Sequence, residues 1–328
     1  MFDLVALGEC LIDFTPSGAN ELGAPLFACN PGGAPANVLA MYTKLGGSTA
    51  FIGKVGRDGF GDFLEGVLRS AGIGLTGLLR SDTVHTTLAF VQLDEKGDRT
   101  FSFYRKPGAD VCLTPDELPA GLLAGCRMFH YGSVSMTDEP SRSATFAGAC
   151  AARAAGALLS YDPNYRPALW DDPREAARVM REGWELADLV KVSYEEMALL
   201  TGTEDLGEGL ERLGSQGAAL VLVTDGERGC AYRTPACRGT LPAYDVSVLD
   251  TTGSGDAFWG AALSELRGLS QEQIAALRPE RLEEILRFAC AAGGLTATRR
   301  GAILAMPCRE EIEACVRAGR VQTGGLRL

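Results

Sequence analysis

The residue types best suited to chemistry are concentrated between Asp250 and Leu263, where the sequence is DTTGSGDAFWGAAL. Gly253, Ser254 and Gly255 permit a sharp backbone turn, and the residues after them predict a helix. Such a turn points several backbone N–H groups, reinforced by the helix dipole, at one position, and so binds phosphate without Lys or Arg. The segment therefore predicts an anion site at the start of a helix.

Asp256 falls in the first turn of the same predicted helix, beside the anion site. We expect the positive end of the helix dipole to keep its carboxylate ionised. A carboxylate there accepts the proton of an attacking hydroxyl while the amide groups stabilise charge on a transferred phosphoryl group. Helix capping alone is the alternative role for Asp256, but the Gly-Ser-Gly turn before it favours catalysis.

The overall charge limits the classes of partner. The chain has 328 residues, 46% of them hydrophobic, which is enough for a sizeable core. Its formal net charge is −11, without a dense Lys/Arg cluster, so a nucleic-acid partner has no electrostatic support. An acidic chain repels anions in general, and a bound phosphate therefore needs a local device such as the glycine turn. We expect small-molecule partners.

The cysteines and histidines point to no metal or disulfide framework. Ten cysteines are scattered singly through the chain without a C-x-x-C pair, which predicts reduced thiols in a cytoplasmic protein. His85 and His130 lie far apart in apolar, strand-like runs, and we expect both to pack in the core. The N-terminus lacks a signal-peptide pattern, and Pro and Gly interrupt the uncharged run from Leu22 to Thr43, so no membrane span is predicted.

Short β-rich runs alternate with helical patterns along the chain. Strands are predicted at about 4–8, 49–53, 128–132, 157–162, 188–193 and 219–226, and helices at 35–45, 62–71, 142–155, 173–186, 195–200 and 206–213. Near-continuous apolar strands followed by amphipathic helices are typical of parallel strands buried on both faces. We therefore expect residues 1–328 to form one three-layer α/β/α domain with a mostly parallel central sheet.

Two inserts, at about 14–31 and 86–112, break this alternation and predict a small β-sheet. In the second insert, Leu88 to Leu93 and Thr100 to Tyr104 flank the turn DEKGD, which indicates a hairpin. Because inserts at strand ends lie beside the ligand crevice of an α/β sheet, we expect the small sheet to cover the site as a lid.

Two nucleotide-binding patterns are excluded. The sequence contains no G-x-x-x-x-G-K-[ST], so it does not encode a P-loop kinase. Gly72, Gly74 and Gly77 do match G-x-G-x-x-G, but they follow a predicted helix rather than a strand. We interpret them as a glycine-rich loop and not as a dinucleotide site.

The motifs together resemble those of a known family. DTTGSGD is similar to the C-terminal signature D-T-x-G-A-G-D of the PfkB, or ribokinase-like, carbohydrate kinases, with Ser254 in place of the usual alanine. The segment from Gly32 to Leu64 resembles the N-terminal signature, and the resemblance covers essentially the whole chain. It implies a ribokinase-like fold and transfer of the γ-phosphate of ATP, with Mg²⁺, to a sugar hydroxyl. It also implies Asp256 as the base and the Gly253–Gly255 turn as the anion hole.

The resemblance further implies that the sugar is bound by Asp13, Gly32, Gly33 and Asn37. Carboxylate and amide side chains suit several sugar hydroxyls, and Gly33 permits close approach of a ligand.

Two arginines are candidates for further contacts. Arg166, in DPNYRPALW, follows a predicted strand end, where a positive group reaches the crevice and steadies substrate or phosphate. A loop arginine in solvent is the alternative. Arg105, on the predicted lid hairpin, is expected to face the sugar as well.

For the nucleotide, the resemblance implies a site built from two loops. The family's N-x-x-E element, whose glutamate organises the Mg²⁺ shell through water, matches at Glu196, with Ser193 in place of the asparagine. Thr224, Gly226 and Gly229, in VTDGERG, resemble the loop against the ATP phosphates and ribose.

The segment FACAAGGLTATRRGA resembles the family's adenine wall and its site for an activating monovalent cation such as K⁺. Cys290 stands where many members have an asparagine next to adenine. Asp250 and Thr252 are the residues assigned to the cation.

Fructose is the expected sugar, because FYRKPGAD, DPNYRPALW and KVSYEE resemble bacterial fructokinases. The first alternative is 2-keto-3-deoxygluconate kinase, although an acid substrate disfavours a facing Asp13; ribokinase and nucleoside kinase activities rank lower. A non-catalytic nucleotide- or sugar-binding protein on the same fold is the alternative from another class. We also expect a homodimer, since lid strands with an apolar face need a cover and lids of this family often pair.

Overall fold

The computed structural model describes residues 1–93 and 99–328. The hairpin turn predicted at 94–98 lies outside the described residues. In chain order the strands are β1 (Phe2–Leu7), β2 (Leu11–Ala19), β3 (Pro25–Gly32), β4 (Thr49–Gly56), β5 (Gly74–Ser81), β6 (Leu88–Leu93), β7 (Arg99–Tyr104), β8 (Cys126–Tyr131), β9 (Leu158–Tyr161), β10 (Leu189–Ser193), β11 (Leu220–Thr224), β12 (Cys230–Arg233) and β13 (Arg238–Leu241).

In the described part of the chain, a nine-stranded sheet has the order β13-β12-β11-β10-β9-β8-β1-β4-β5. Neighbouring strands from β11 to β5 pair in parallel, and β12 and β13 add an antiparallel edge. On β1, Leu4 and Ala6 face one core cluster while Val5 and Leu7 face the other. Burial on both faces explains the continuous apolar runs in the sequence.

Helices cover both faces of this sheet. They are α1 (Ala34–Lys44), α2 (Gly59–Ser70), α3 (Ala120–Ala124), α4 (Ser141–Ala154), α5 (Pro173–Glu185), α6 (Tyr194–Thr201), α7 (Leu206–Gly214), α8 (Ser254–Glu265), α9 (Gln271–Ala275), α10 (Pro279–Ala297) and α11 (Arg309–Ala318). Helix α8 packs between α1 and α10 on one face, and α4 to α7 cover the other. The predicted three-layer α/β/α class is confirmed. Of the helices described, none has both the length and the apolar composition needed to cross a membrane.

Strands of the two inserts form the second sheet, a four-stranded one in the described residues, with the order β3-β2-β6-β7. Strand β2 pairs in parallel with β6, and the other two pairs are antiparallel. Side chains alternate along β2, so Asp13 and Thr15 face a cavity while Phe14 lies on the opposite face.

Two local predictions are wrong. Gly74 and Gly77 lie in strand β5 rather than in a loop, and β5 escaped the sequence pattern because, as the edge strand of the sheet, it is only partly buried. His85 is 94% exposed, with Nδ1 3.4 Å from Asp58 Oδ2, instead of packing in the core. His130 does pack in the core on β8, where Nδ1 contacts Ser160 Oγ at 3.0 Å.

Candidate active site

A cavity of about 520 Å³ lies between the small sheet and the edge of the large sheet where the parallel strands end. Its volume is in the range of small-molecule sites. Seven residues that the sequence predicted for the anion, base and substrate contacts line it: Asp13, Gly33, Asn37, Arg166, Gly253, Gly255 and Asp256. The chain thus brings its two signature motifs together across more than 200 residues of sequence.

The glycine turn begins helix α8, as predicted. Gly253 is the N-cap residue and has φ = 76°, a left-handed conformation that a residue with a side chain rarely adopts. The N–H group of Ser254 donates to Thr251 O at 3.2 Å. Within the described residues, the N–H groups of Gly253 and Gly255 find no protein acceptor. They are free to bind an anion at the positive end of the helix.

Asp256 is the third residue of α8 and is buried. Asn37 Nδ2, from the first turn of α1, donates a hydrogen bond to Asp256 Oδ2 at 2.7 Å. Burial, and then the charge of Asp162, raise the pKa of Asp256 to about 6, although Asn37, Lys191 and Arg166 act in the opposite direction. The carboxylate is therefore ionised at neutral pH, as expected, but its pKa is raised rather than held low. This value suits a general base that works near pH 7.

Asp13 projects from β2 into the cavity. Burial raises the pKa of its carboxyl group to about 6, while the nearby charge of Arg166 opposes this shift. Gly32 leaves room for the carboxylate, because an added Cβ there would lie 2.2 Å from Asp13 Oδ2. Gly33 has φ = 117°, and an added Cβ would lie 2.3 Å from the backbone oxygen of Glu9. Both glycines are thus required by the shape of this wall.

Glu9 is a buried residue of the cavity wall that the sequence analysis did not assign. Its Oε1 accepts a hydrogen bond from the N–H of Ala34 at 2.8 Å and so fixes the start of α1, from which Asn37 projects. Burial raises the pKa of Glu9 to about 7. A lone acid two residues after the buried strand β1 was the available signal.

Arg166 lines the cavity from the loop after β9, in agreement with its predicted position. The loop is held by Glu196, whose Oε1 accepts from the N–H of Tyr165 at 2.6 Å and whose Oε2 accepts from the N–H of Ser193 at 2.7 Å. Ser193 Oγ in turn accepts from the N–H of Glu196 at 3.1 Å, which completes a capping box at the start of α6. Glu196 therefore braces the active-site loop and is not itself a lining residue.

Arg105 lies elsewhere than predicted. It is buried and is not among the residues that line the cavity. Its Nε donates to Asp110 Oδ2 at 2.7 Å, Nη1 to Thr137 Oγ1 at 2.6 Å and Nη2 to Val134 O at 2.8 Å. The guanidinium group connects the segment after β7 to the loop after β8. The sequence had instead indicated a contact of Arg105 with the sugar.

The predicted nucleotide residues lie outside this cavity, and four of them lie at or just after the ends of neighbouring strands. Ser193 ends β10 directly opposite Thr224, which ends β11. Gly226 begins the 3₁₀ turn Gly226–Arg228 that follows, and Gly229 comes directly after this turn. Cys290, on α10, has its Sγ 3.7 Å from Cys230 Sγ in the core, so its thiol packs toward β12. A contact of this residue with adenine stays a prediction.

Asp250 and Thr252 both line the cavity. Thr252 donates to Asp250 Oδ1 from its N–H at 2.9 Å and from Oγ1 at 2.7 Å, and the N–H of Gly301 donates to Asp250 Oδ2 at 3.1 Å. In residues 1–93 and 99–328, no group of three or more His, Cys, Asp or Glu side chains is arranged to hold a metal ion. The assignment of these two residues to a monovalent cation stays a prediction.

Lys191, which the sequence analysis did not assign to the site, forms a buried ion pair with Asp162. Lys191 Nζ donates to Asp162 Oδ2 at 2.8 Å, and the two side chains are 9% and 2% exposed. Burial by itself would lower the pKa of Lys191, but the charges of Asp162, Glu196 and Asp256 outweigh it and raise the pKa. A single lysine within the apolar strand LVKVS was the signal, because an unpaired lysine is seldom buried.

Comparisons with known proteins extend over almost the whole chain. The sequence model of the pfkB family carbohydrate kinases matches residues 1–309. Fructokinase-2 of Solanum habrochaites is 44% identical over 319 residues, which cover 96% of this chain and 96% of that protein.

Solved structures resemble the whole fold. A fructokinase from Xylella fastidiosa with bound ATP superimposes with a TM-score of 0.88 at 37% identity and covers 97% of this chain and 99% of its own. A fructokinase from Vibrio cholerae O395 in a form with bound fructose, ADP and calcium ion has a TM-score of 0.84 at 33% identity and covers 95% of this chain and 98% of its own.

Proposed function

The chain belongs to the pfkB family of carbohydrate kinases, and on this premise we propose that it transfers the γ-phosphoryl group of ATP to fructose to give fructose 6-phosphate. Membership makes it a phosphotransferase that acts on a sugar hydroxyl. The observation that carries the proposal is one cavity in which the buried Asp256 adjoins the free amides of the glycine turn and faces Asp13 and Asn37.

In the proposed reaction, Asp256 accepts the proton of the sugar hydroxyl. The hydroxyl oxygen bonds to the γ-phosphorus while the bond from that phosphorus to the ADP oxygen breaks. The N–H groups of Gly253 and Gly255 stabilise the negative charge on the phosphoryl group. Asn37 holds Asp256 in place through the hydrogen bond to Oδ2, and this fixes the carboxylate at the start of α8.

The sugar is proposed to lie between β2 and the start of α1. Asp13 accepts hydrogen bonds from sugar hydroxyls, and Asn37 Oδ1, which is buried and accepts no hydrogen bond from the described residues, supplies a further acceptor. The charge of Arg166 acts to lower the pKa of both Asp13 and Asp256, so its proposed place is between the sugar and the phosphate.

ATP and Mg²⁺ are proposed as the second substrate and its metal. Mg²⁺ takes oxygen ligands and usually keeps several waters, and when bound it neutralises phosphate charge. Asp162 fits this chemistry, because its buried Oδ1 has no partner among the described residues. Glu196 fits only through water, as both its oxygens already accept N–H groups. K⁺ is proposed to bind at Asp250 and Thr252. The nucleotide is proposed to lie beside Ser193, Thr224, Gly226 and Gly229.

A coupled assay of ADP release tests the substrate. Fructose, 2-keto-3-deoxygluconate, ribose, tagatose and adenosine are compared at matched concentrations with ATP and Mg²⁺. We expect fructose to give the highest kcat/KM. A higher value for 2-keto-3-deoxygluconate would contradict fructokinase activity and leave sugar kinase activity intact.

The pH dependence of this activity follows from the two raised carboxyl pKa values. Asp256 and Asp13 act as carboxylates, and the pKa of each is raised to about 6, so kcat/KM should fall steeply as the pH drops below about 6. Both groups bind protons more tightly in the folded chain than at the ordinary value of 3.8, so their protonation does not itself favour unfolding. Activity should therefore be lost while circular dichroism still shows a folded protein.

Asp13→Asn should make the acid limb shallower, since one of the two coupled carboxyl groups is then absent. A kcat/KM that stays constant between pH 5 and 8 would contradict both the base and the sugar ligand.

The outer face of the small sheet carries a cluster of aromatic rings. Phe14 and Phe90 stack at 4.8 Å, and Phe27 and Tyr104 meet Phe90 edge-on at 5.7 Å and 5.4 Å. Phe27 is 41% and Tyr104 67% exposed. We propose that residues 1–328 form one kinase domain and that two copies pair through this aromatic face, in a cytoplasmic homodimer.

Light scattering at micromolar concentration should therefore give the mass of a dimer. The double variant Phe27→Ser/Tyr104→Ser should give a monomer, because it removes the exposed apolar area of the face. Leu304→Ser is the control, since Leu304 is 75% exposed but lies beside α1 and α2. A wild-type monomer, or a double variant that stays dimeric, would contradict pairing through this face.

A further inference from the structure

Lys191 stands directly beside the glycine turn. On β10, Leu189 belongs to the core cluster that holds α8, whereas Val190 and Val192 belong to the opposite one. Side chains alternate along a strand, so Lys191 points toward α8. Its Nζ lies 3.1 Å from the position that a Cβ on Gly255 would occupy. The absence of a side chain at Gly255 thus leaves the ammonium group beside the turn.

The charges of the cavity wall make a cation necessary there. Four carboxylates line the cavity, those of Glu9, Asp13, Asp250 and Asp256, and in the described residues two cations face them, Arg166 and Lys191. A phosphoryl group in transfer carries negative charge on its outer oxygens and is repelled by carboxylates. The charge of Arg166 acts to lower the pKa of both Asp13 and Asp256, whereas the Nζ of Lys191 lies directly beside Gly255 of the anion hole.

The ammonium group also has hydrogen-bonding capacity to spare. A lysine has three N–H donors, and in the described part of the chain Lys191 uses one of them, on Asp162 Oδ2. That bond fixes the direction of the side chain, because Asp162 is 2% exposed and follows the buried strand β9. The other donors are available to a ligand in the cavity.

We propose that Lys191 is a catalytic residue that donates a hydrogen bond to the phosphoryl group in transit, and that Asp162 is the residue that positions it. Lys191 forms no covalent bond and keeps its proton; the hydroxyl proton goes to Asp256 and the bonding pair of the broken P–O bond goes to ADP. The inference rests on the proposed kinase function and adds a residue to it.

A purely structural role makes a different prediction. If Lys191 only neutralises the buried Asp162, a variant without the lysine leaves an uncompensated charge, and a second substitution that removes this charge should restore both folding and activity. If Lys191 contacts the phosphoryl group, the second substitution restores folding alone. The double variant Asp162→Asn/Lys191→Met is compared with Asp162→Asn, which carries any loss of the Mg²⁺ contact proposed for Asp162, and the ratio of their kcat values separates the two roles.

The first measurement is of steady-state kinetics and melting temperature. Lys191→Met should lower kcat about 100- to 1,000-fold, the usual effect of losing one transition-state donor. The KM for fructose should change by less than about 3-fold, since the sugar lies on the other side of the cavity. In Asp162→Asn/Lys191→Met the melting temperature should return toward the wild-type value while kcat stays low. Lys44→Met, at an exposed lysine, is the control and should behave as wild type.

The second measurement is of binding without turnover. Calorimetry compares ADP with ADP plus aluminium fluoride, a phosphoryl mimic, in the presence of Mg²⁺ and fructose. Wild type should bind the mimic more tightly than ADP alone, and the double variant should lose this gain while its affinity for ADP stays the same.

Recovery of wild-type kcat in the double variant, or an unchanged gain from aluminium fluoride, would overturn the role of Lys191 alone. A wild type that phosphorylates no sugar would overturn the proposed function and this inference with it.

Discussion

Asp256→Asn should nearly abolish phosphoryl transfer while ATP still binds. The substitution removes the acceptor for the hydroxyl proton but keeps a side chain of the same size that still accepts the hydrogen bond from Asn37 Nδ2. The backbone N–H groups of Gly253 and Gly255 do not depend on the side chain, so the anion hole remains. Loss of a general base lowers the rate on the order of 100- to 10,000-fold. Single-turnover kinetics and calorimetry with ATP measure the two effects separately.

The matched control is Asp116→Asn, which makes the same chemical change at an exposed carboxylate. It should retain wild-type kcat and melting temperature. An Asp256→Asn variant that keeps more than about a third of wild-type turnover would remove Asp256 from the role of base, because such a loss is far below the expected range.

Local sequence patterns predicted the glycine turn and the place of Asp256 in the helix that follows it, because the physics that creates them is local. Gly253 must adopt a left-handed conformation to start α8, and Asp256 then falls in the first turn of that helix. The alternation of apolar strands with helices similarly predicted the layers, since burial on both faces leaves a direct mark in the sequence.

Partners that are distant in sequence account for what the local patterns could not show. Arg105 carries no sign of its contacts with Thr137 and Val134, which fold against it from the loop after β8. Cys290 meets Cys230 across 60 residues, which no local pattern shows. Tertiary packing decides where the side chains of both residues point, and their positions in the sequence do not.

Lys191 is a residue whose partners the sequence does not show. In the sequence it is a single charged residue in an apolar strand, and no local pattern indicates what it pairs with. Its significance depends on Asp162, 29 residues earlier, and on Gly255, 64 residues later, both brought within reach by the parallel sheet and α8. Only the fold shows that the charge is paired, buried and beside Gly255.

Asp13→Ala should raise the KM for fructose strongly. Asp13 lines the cavity on β2, and we propose that it accepts hydrogen bonds from fructose hydroxyls. A hydrogen bond to a charged group contributes about 1.5–3 kcal/mol, so the loss of one lowers kcat/KM roughly 10- to 160-fold. Asp13→Asn, which keeps an acceptor oxygen without the charge, should have a smaller effect. Glu21→Ala, at an exposed acid in the turn between β2 and β3, is the control.

The same variant tests the choice between a neutral sugar and a sugar acid. Asp13 repels the carboxylate of 2-keto-3-deoxygluconate, so Asp13→Ala should impair use of that substrate less than use of fructose, or should improve it. Measuring kcat/KM of wild type and variant on both substrates gives the selectivity directly.

Arg166→Ala completes this comparison, because the charge of Arg166 acts to lower the pKa of both Asp13 and Asp256. If the guanidinium group steadies the transferred phosphoryl group, the variant should lose activity equally on fructose and on 2-keto-3-deoxygluconate. If it binds a substrate carboxylate, the loss should be larger for the acid. We expect equal losses. Wild-type preference for 2-keto-3-deoxygluconate, with fructose kinetics unchanged by Asp13→Ala, would contradict fructose as the substrate, while the base and anion hole would still support a sugar kinase.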